Sequence, residues 1–136
     1  MKRVSVIVLA LMALLVIPAS TLYGQSEGTW FKVPFPFVVA DKQMPAGQYH
    51  VQSLYWNAVA IQRSGGNAGV IRQCQPTEVP ADGQPKMIFH RYGQRHFLSE
   101  VRLPRMDSGR KFYVTKEEIE VASKVPKQDN VEVAGR

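Results

Sequence analysis

The sequence predicts a mainly β protein, a single antiparallel barrel or sandwich of six to seven strands, with a short C-terminal helix as one of two readings of its end. Three observations predict it. Apolar side chains recur at every second position in several short runs. The runs follow one another at roughly ten-residue spacing, and Gly- or Pro-bearing turns separate them. A length of 136 residues with 45% apolar content suits one globular domain and excludes a multidomain or largely disordered chain.

The amino terminus reads as an export signal. Lys2 and Arg3 precede Val4 to Ile17, fourteen residues in which Ser5 is the polar exception, and Pro18, Ala19 and Ser20 follow. A spanning helix needs about 20 apolar residues, so a permanent membrane anchor is the weaker reading. Small residues allow cleavage after Ser20, Thr21 or Gly24, and Gly24 is preferred. The chain then divides into a secretory signal peptide at 1–24, a β-rich domain at 25–126 and a flexible polar tail at 127–136, and its expected destination is the periplasm or the medium. Export leads to an oxidising compartment, yet the single cysteine, Cys74, cannot close an internal disulfide. It reads as a small apolar core residue. It also lies far from the signal region, which leaves lipoprotein anchoring without a residue to act on.

Within the domain, Phe31, Val33, Phe35, Phe37 and Val39 alternate from Trp30 to Val39 and predict a first strand. Pro34 and Pro36 share the opposite parity, remove two N–H groups from one edge and place that strand at the side of a sheet. Pro45 and Gly47 predict a chain reversal within Asp41 to Gly47. Tyr49, Val51 and Ser53 then form a second strand in a hairpin with the first. A third strand is expected from Trp56 to Gln62, a turn over Ser64 to Asn67, a fourth strand from Gly69 to Gln75 and a loop over Pro76 to Pro85.

Lys86 to Tyr92 and His96 to Leu103 are two further strands, joined at Gly93-Gln94, where a leading Gly suits a type II′ turn. That turn pairs Arg91 with His96, Phe89 with Leu98 and Met87 with Glu100. The opposite face, with Ile88, His90, Tyr92, Phe97, Ser99, Val101 and Leu103, is the more apolar and is expected to be core. Met87, Phe89 and Leu98 then need cover, and Thr115-Lys116-Glu117-Glu118 reads as a capping box that opens a covering helix through Ile119, Ala122 and Val125. The rival for this segment is a strand, because Phe112-Tyr113-Val114 prefers β structure and Ile119 alternates with Val121. Pro126 ends either one.

Two stretches carry a resemblance: Val33-Pro34-Phe35-Pro36-Phe37 running to Met44-Pro45-Ala46-Gly47-Gln48-Tyr49, and Phe89-His90-Arg91-Tyr92-Gly93 followed by Phe97-Leu98-Ser99-Glu100. In this order they resemble a group of small exported bacterial proteins and span most of the chain after the signal. Members of that group follow the second hairpin with a Gly-Arg-Glu-Leu-Pro stretch and a highly charged helix, from which Gly109-Arg110-Lys111-Phe112-Tyr113 departs. The resemblance implies a β-rich exported domain and supplies no catalytic residue.

Chemistry is sparse. His50, His90 and His96 are the available imidazoles; the hairpin sends His90 and His96 to opposite faces, and His50 falls on the polar parity of another strand. A core His90 hydrogen-bonded to a neighbour is the default. No Gly-x-Ser-x-Gly is present, and Gly65-Gly66 lacks the Lys and Ser or Thr of a phosphate loop. No metal, cofactor or enzymatic activity is expected. The excess of 17 Lys and Arg over 11 Asp and Glu favours anionic partners. Arg91, Arg95, Arg102, Arg105, Arg110 and Lys111 concentrate that charge within 21 residues holding Glu100 and Asp107 as acids. They are the candidate anion-binding set, for an anionic envelope surface or protein partner; export removes nucleic acid as a natural partner. The plainer reading is a solvated face with Glu100 paired to a neighbour.

The sequence thus supports an exported, non-enzymatic β domain working by surface or envelope contact. A second reading is a carrier that holds a small apolar ligand inside the barrel, lined by Phe35, Phe37, Tyr49, Phe89 and Phe97.

Overall fold

A computed structural model describes residues 28–55, 57–66, 69–78, 83–106 and 108–136. The expected signal peptide and its expected cleavage position lie outside the described residues, as do Trp56 at the start of the expected third strand and Asn67 in the turn after it.

The chain is mainly β, as its alternation predicts, but the described residues form ten strands rather than six or seven. The strands are β1 (Gly28–Val33), β2 (Phe37–Val39), β3 (Lys42–Met44), β4 (Gly47–Tyr55), β5 (Ala58–Arg63), β6 (Gly69–Thr77), β7 (Lys86–Tyr92), β8 (Arg95–Arg102), β9 (Gly109–Phe112) and β10 (Val131–Ala134), with helix α1 (Lys116–Lys124) between β9 and β10. They make one mixed sheet in the order β1-β4-β5-β6-β9-β8-β2-β3, from which β7 and β10 branch at β8. Neither a regularly closed barrel nor two stacked sheets results. The regular ladders do not close, although a single bridge from Phe31 to Gly135 brings the end of β10 against β1.

The extra strands have identifiable origins. The expected first strand is broken by Pro34 and Pro36, and its halves take different neighbours: β1 pairs with β4 from Gly28 opposite Gln52 to Val33 opposite Gly47, whereas β2 pairs with β3 and, in parallel, with β8. The reversal after β2 occurs at Ala40 and Asp41, both at positive φ, which is the backbone of a type I′ turn. It lies upstream of the Pro-Ala-Gly turn, which here joins β3 to β4.

The 127–136 segment is a second correction. It holds β10, antiparallel to β7, with Val131 opposite Phe89 and Val133 opposite Met87. Val133 sits in the core. Two valines two residues apart carry the strand period over a segment too short for its periodicity to register against polar surroundings.

The β7–β8 hairpin turns at Gly93-Gln94 as expected, with Gly93 at φ 61°, and pairs Arg91 with His96 and Phe89 with Leu98. A bulge then shifts the register, so that Met87 faces Val101 and Ile88 faces Glu100. Apart from Val101 and Leu103, which reach the main core as expected, the faces are the reverse of the expectation. Met87, Phe89, Leu98 and Val101 join the main core with Phe31, Val33, Phe37, Met44, Tyr49, Val51, Val59 and Ile61. The other face, with Tyr92 and Phe97, packs on Val38 and is the one that α1 covers through Val121. Both faces of the hairpin are covered, so their relative apolarity does not reveal which one looks inward.

Candidate ligand cleft and the helix beside it

β2 and β8 meet at one position, Val38 opposite Phe97. Beyond it the strands part, since Pro36 has no N–H with which to extend the ladder. A surface cleft of about 420 Å³ opens there, lined by Pro36, Phe37 and Val38 on β2 and its approach, Gln43, Met44 and Pro45 on and after β3, and Gln94, Arg95 and His96 at the β7–β8 turn. Two sides are apolar and the third is polar and cationic.

The apolar sides are backed by close packing. Phe37 stands edge-on to Tyr49 at 5.1 Å and to Phe89 at 5.3 Å between ring centroids. The Tyr49 hydroxyl donates to the Pro45 carbonyl, tying the cleft wall to β4. Phe37, Met44 and Tyr49 are almost fully buried, so this wall has little freedom to collapse into the cleft.

On the polar side, the His96 ring lies flat on Phe35, 3.9 Å between centroids and 17° between planes. Burial and then the Arg91 charge push its pKa below the ordinary 6.5, with the Gln94 backbone opposing, so the ring is neutral at neutral pH. Arg95 rests over the Phe97 ring, 5.2 Å from its centroid. Its Nη2 donates to the Glu117 carboxylate on the first turn of α1.

Helix α1 starts where the capping pattern predicts. Thr115 is the N-cap, and its Oγ1 accepts from the Glu118 N–H at 3.2 Å. Yet the Glu118 side chain does not complete the box. It turns onto the sheet, where one carboxylate oxygen accepts from His90 Nδ1 at 2.6 Å and from the Tyr92 hydroxyl at 3.1 Å. His90 therefore finds the hydrogen-bonded neighbour expected of it, on an unexpected element. Burial foremost, and then Glu118, raise the Tyr92 pKa above 10.0. The apolar residues read as the helix's inner face also differ from expectation: Ile119 and Val125 are exposed, and Val121 makes the contact.

The six candidate anion-binding residues do not converge. Arg91 Nε donates to the Gly93 carbonyl, Arg95 holds Glu117, and Arg102 Nε donates to Glu100 at 2.9 Å. Arg110 Nη1 donates to the Ser108 hydroxyl at 2.9 Å. Lys111 is exposed on β9 opposite Glu100, and Arg105 lies in the β8–β9 connection at φ 61°. Glu100 is thus paired, as the plainer reading has it. Only Arg95 faces the cleft.

The three imidazoles also stand apart, His50 beside the Trp30 ring at 4.9 Å, His90 on Glu118 and His96 on Phe35. Among the described residues no three His, Cys, Asp or Glu side chains converge. Cys74 is buried on β6; burial raises its thiol pKa above the ordinary value, with Arg110 opposing. A protonated thiol in the core is a poor nucleophile.

Comparison with family models, curated proteins and solved structures finds no match for this chain. The His90, Tyr92 and Glu118 cluster joins residues 26 and 28 positions apart, and the cleft joins residues more remote still, which is why the sequence presented Glu118 as a cap alone and Gln43, Met44 and Pro45 as a turn.

Proposed function

We propose that the protein is an exported, non-enzymatic β domain, akin to the small exported bacterial proteins it resembles, that works by contact: it holds an apolar group of an envelope component in the cleft between the β2–β3 hairpin and the β7–β8 turn. The cleft carries this reading. At about 420 Å³ it falls in the size range of small-ligand sites, and it has an apolar wall with a few polar groups on one side. Export rests on the basic, apolar and small-residue order of the first 24 residues. The positive excess adds a long-range attraction to anionic surfaces, with Arg91 to Lys111 as the stretch of sequence richest in cations.

A carrier with its ligand inside a barrel has less support. Phe37, Tyr49 and Phe89 pack ring against ring, Phe35 lies on His96, and Phe97 sits beneath α1, so these side chains are occupied with one another.

Fractionation of cells producing the full chain, with a photo-crosslinking residue at Gln43, tests the proposal. The expected result is a processed chain beginning near Gln25 in the periplasm or medium and an envelope adduct at Gln43. An unprocessed cytoplasmic chain, or an exported one that crosslinks to nothing from the envelope, would overturn it.

A further inference from the structure

We propose that the cleft takes a single-chain aliphatic carboxylate, its chain along Pro36 and Pro45 and its head group on Arg95 in place of Glu117. This rests on the ligand reading of the cleft given above. Among the described residues that line the cleft, Arg95 is the permanent cation, and none is acidic. His96 beside it is neutral, so the charge is concentrated in one guanidinium.

The site has a built-in stand-in for the head group. A carboxylate already sits on Arg95, that of Glu117, which shows that the guanidinium is presented for such a partner. The Phe97 ring lies beneath it, its centroid 5.2 Å from the guanidinium carbon. The internal pair is about one-third exposed on both sides, 39% for Arg95 and 33% for Glu117, and water screens an ion pair this open to solvent so that it holds weakly. An incoming carboxylate therefore exchanges one ion pair for another and returns Glu117 to water. The apolar chain adds burial that Glu117 does not provide, since Pro36 and Pro45 are exposed on the cleft side. The buried Glu118 keeps α1 seated throughout, because its hydrogen bonds run to His90 and Tyr92 and not to the cleft.

Titrations of the isotope-labelled exported protein with decanoate, decanol and decylphosphocholine, each below its micellar concentration and followed by amide chemical shifts, test this. Decanoate is expected to shift Gln43, Gln94, Arg95, His96 and Glu117, and to bind several-fold more tightly than decanol. Arg95→Gln is expected to bring decanoate down to the decanol level with an otherwise unchanged spectrum. Glu117→Gln is expected to tighten decanoate several-fold, because it removes the internal competitor. Equal affinity for decanol, preference for the phosphocholine, or no gain in Glu117→Gln would overturn the carboxylate assignment while leaving an apolar cleft. If no amphiphile shifts the cleft residues, the ligand reading of the cleft falls with it.

Discussion

Glu118, the buried residue of α1, accepts a hydrogen bond from His90 Nδ1 at 2.6 Å across 28 positions of sequence. The same oxygen accepts from Tyr92. The helix is thus fastened to β7 by a polar contact, with Val121 as its apolar complement, while Ile119 faces solvent.

Truncating this fastener leaves two donors beneath the helix without their acceptor. Glu118→Ala is expected to lose about 2–3 kcal/mol in urea unfolding, in the range for hydrogen bonds to charged groups. Glu118→Gln, which keeps an acceptor for Tyr92, is expected to lose about half as much. Loss of amide protection confined to α1 would distinguish an unseated helix from a weakened core.

His96 makes stability fall on acidification. Its folded pKa lies below the ordinary 6.5, so the unfolded chain binds the proton more readily. Its contribution is complete above pH 6.5 and is lost as the pH drops from there toward the folded value. The slope for one proton is at most about 1.4 kcal/mol per pH unit. His96→Phe keeps a ring on Phe35 and is expected to flatten the unfolding midpoint between pH 6.5 and 5.

The alkaline side has the opposite sign. Tyr49 and Tyr92 have folded pKa values raised above 10.0 and Cys74 one raised above 9.0, in each case chiefly by burial. The folded chain then holds protons that the unfolded chain releases, so stability is complete below pH 9 and declines above it. Cys74→Ala is expected to remove the part of the decline that begins near pH 9, and Tyr92→Phe part of that above pH 10. Denaturant midpoints from pH 8 to 11 measure both.

Gly135 brings β10 against β1. A Cβ there would lie 2.6 Å from the Phe31 ring and 2.7 Å from the Thr29 methyl, both buried. Gly135→Ala is expected to cost about 1–3 kcal/mol by overpacking. The hydrogen bonds that Trp30 and Arg136 exchange, at 3.0 and 3.3 Å, are expected to open, and faster hydrogen exchange of the Trp30 amide would report it.

Ala40 carries strain in the β2–β3 turn. Its φ of 52° is a left-handed conformation that an L residue with a Cβ adopts at a cost of about 1–2 kcal/mol. Ala40→Gly is expected to raise stability by up to about 1 kcal/mol, offset in part by glycine's greater freedom in the unfolded chain. Thermal unfolding checks it.

Local features were legible in the chain alone: the alternation that makes β4, β5, β7 and β8, the Gly93-Gln94 turn, and the Thr115 cap that starts α1. These depend on backbone preferences and side-chain periods within a few residues. The tertiary structure decided which face of the β7–β8 hairpin is core, how the proline-broken first strand divides between two neighbours, and that Val131 and Val133 add a tenth strand. It also decided the cleft, which exists only where the β2–β3 hairpin meets the β7–β8 turn, and the place of Glu118, whose partners His90 and Tyr92 lie on β7. Periodicity states that a face is apolar; what covers that face is settled by packing between segments remote in the chain.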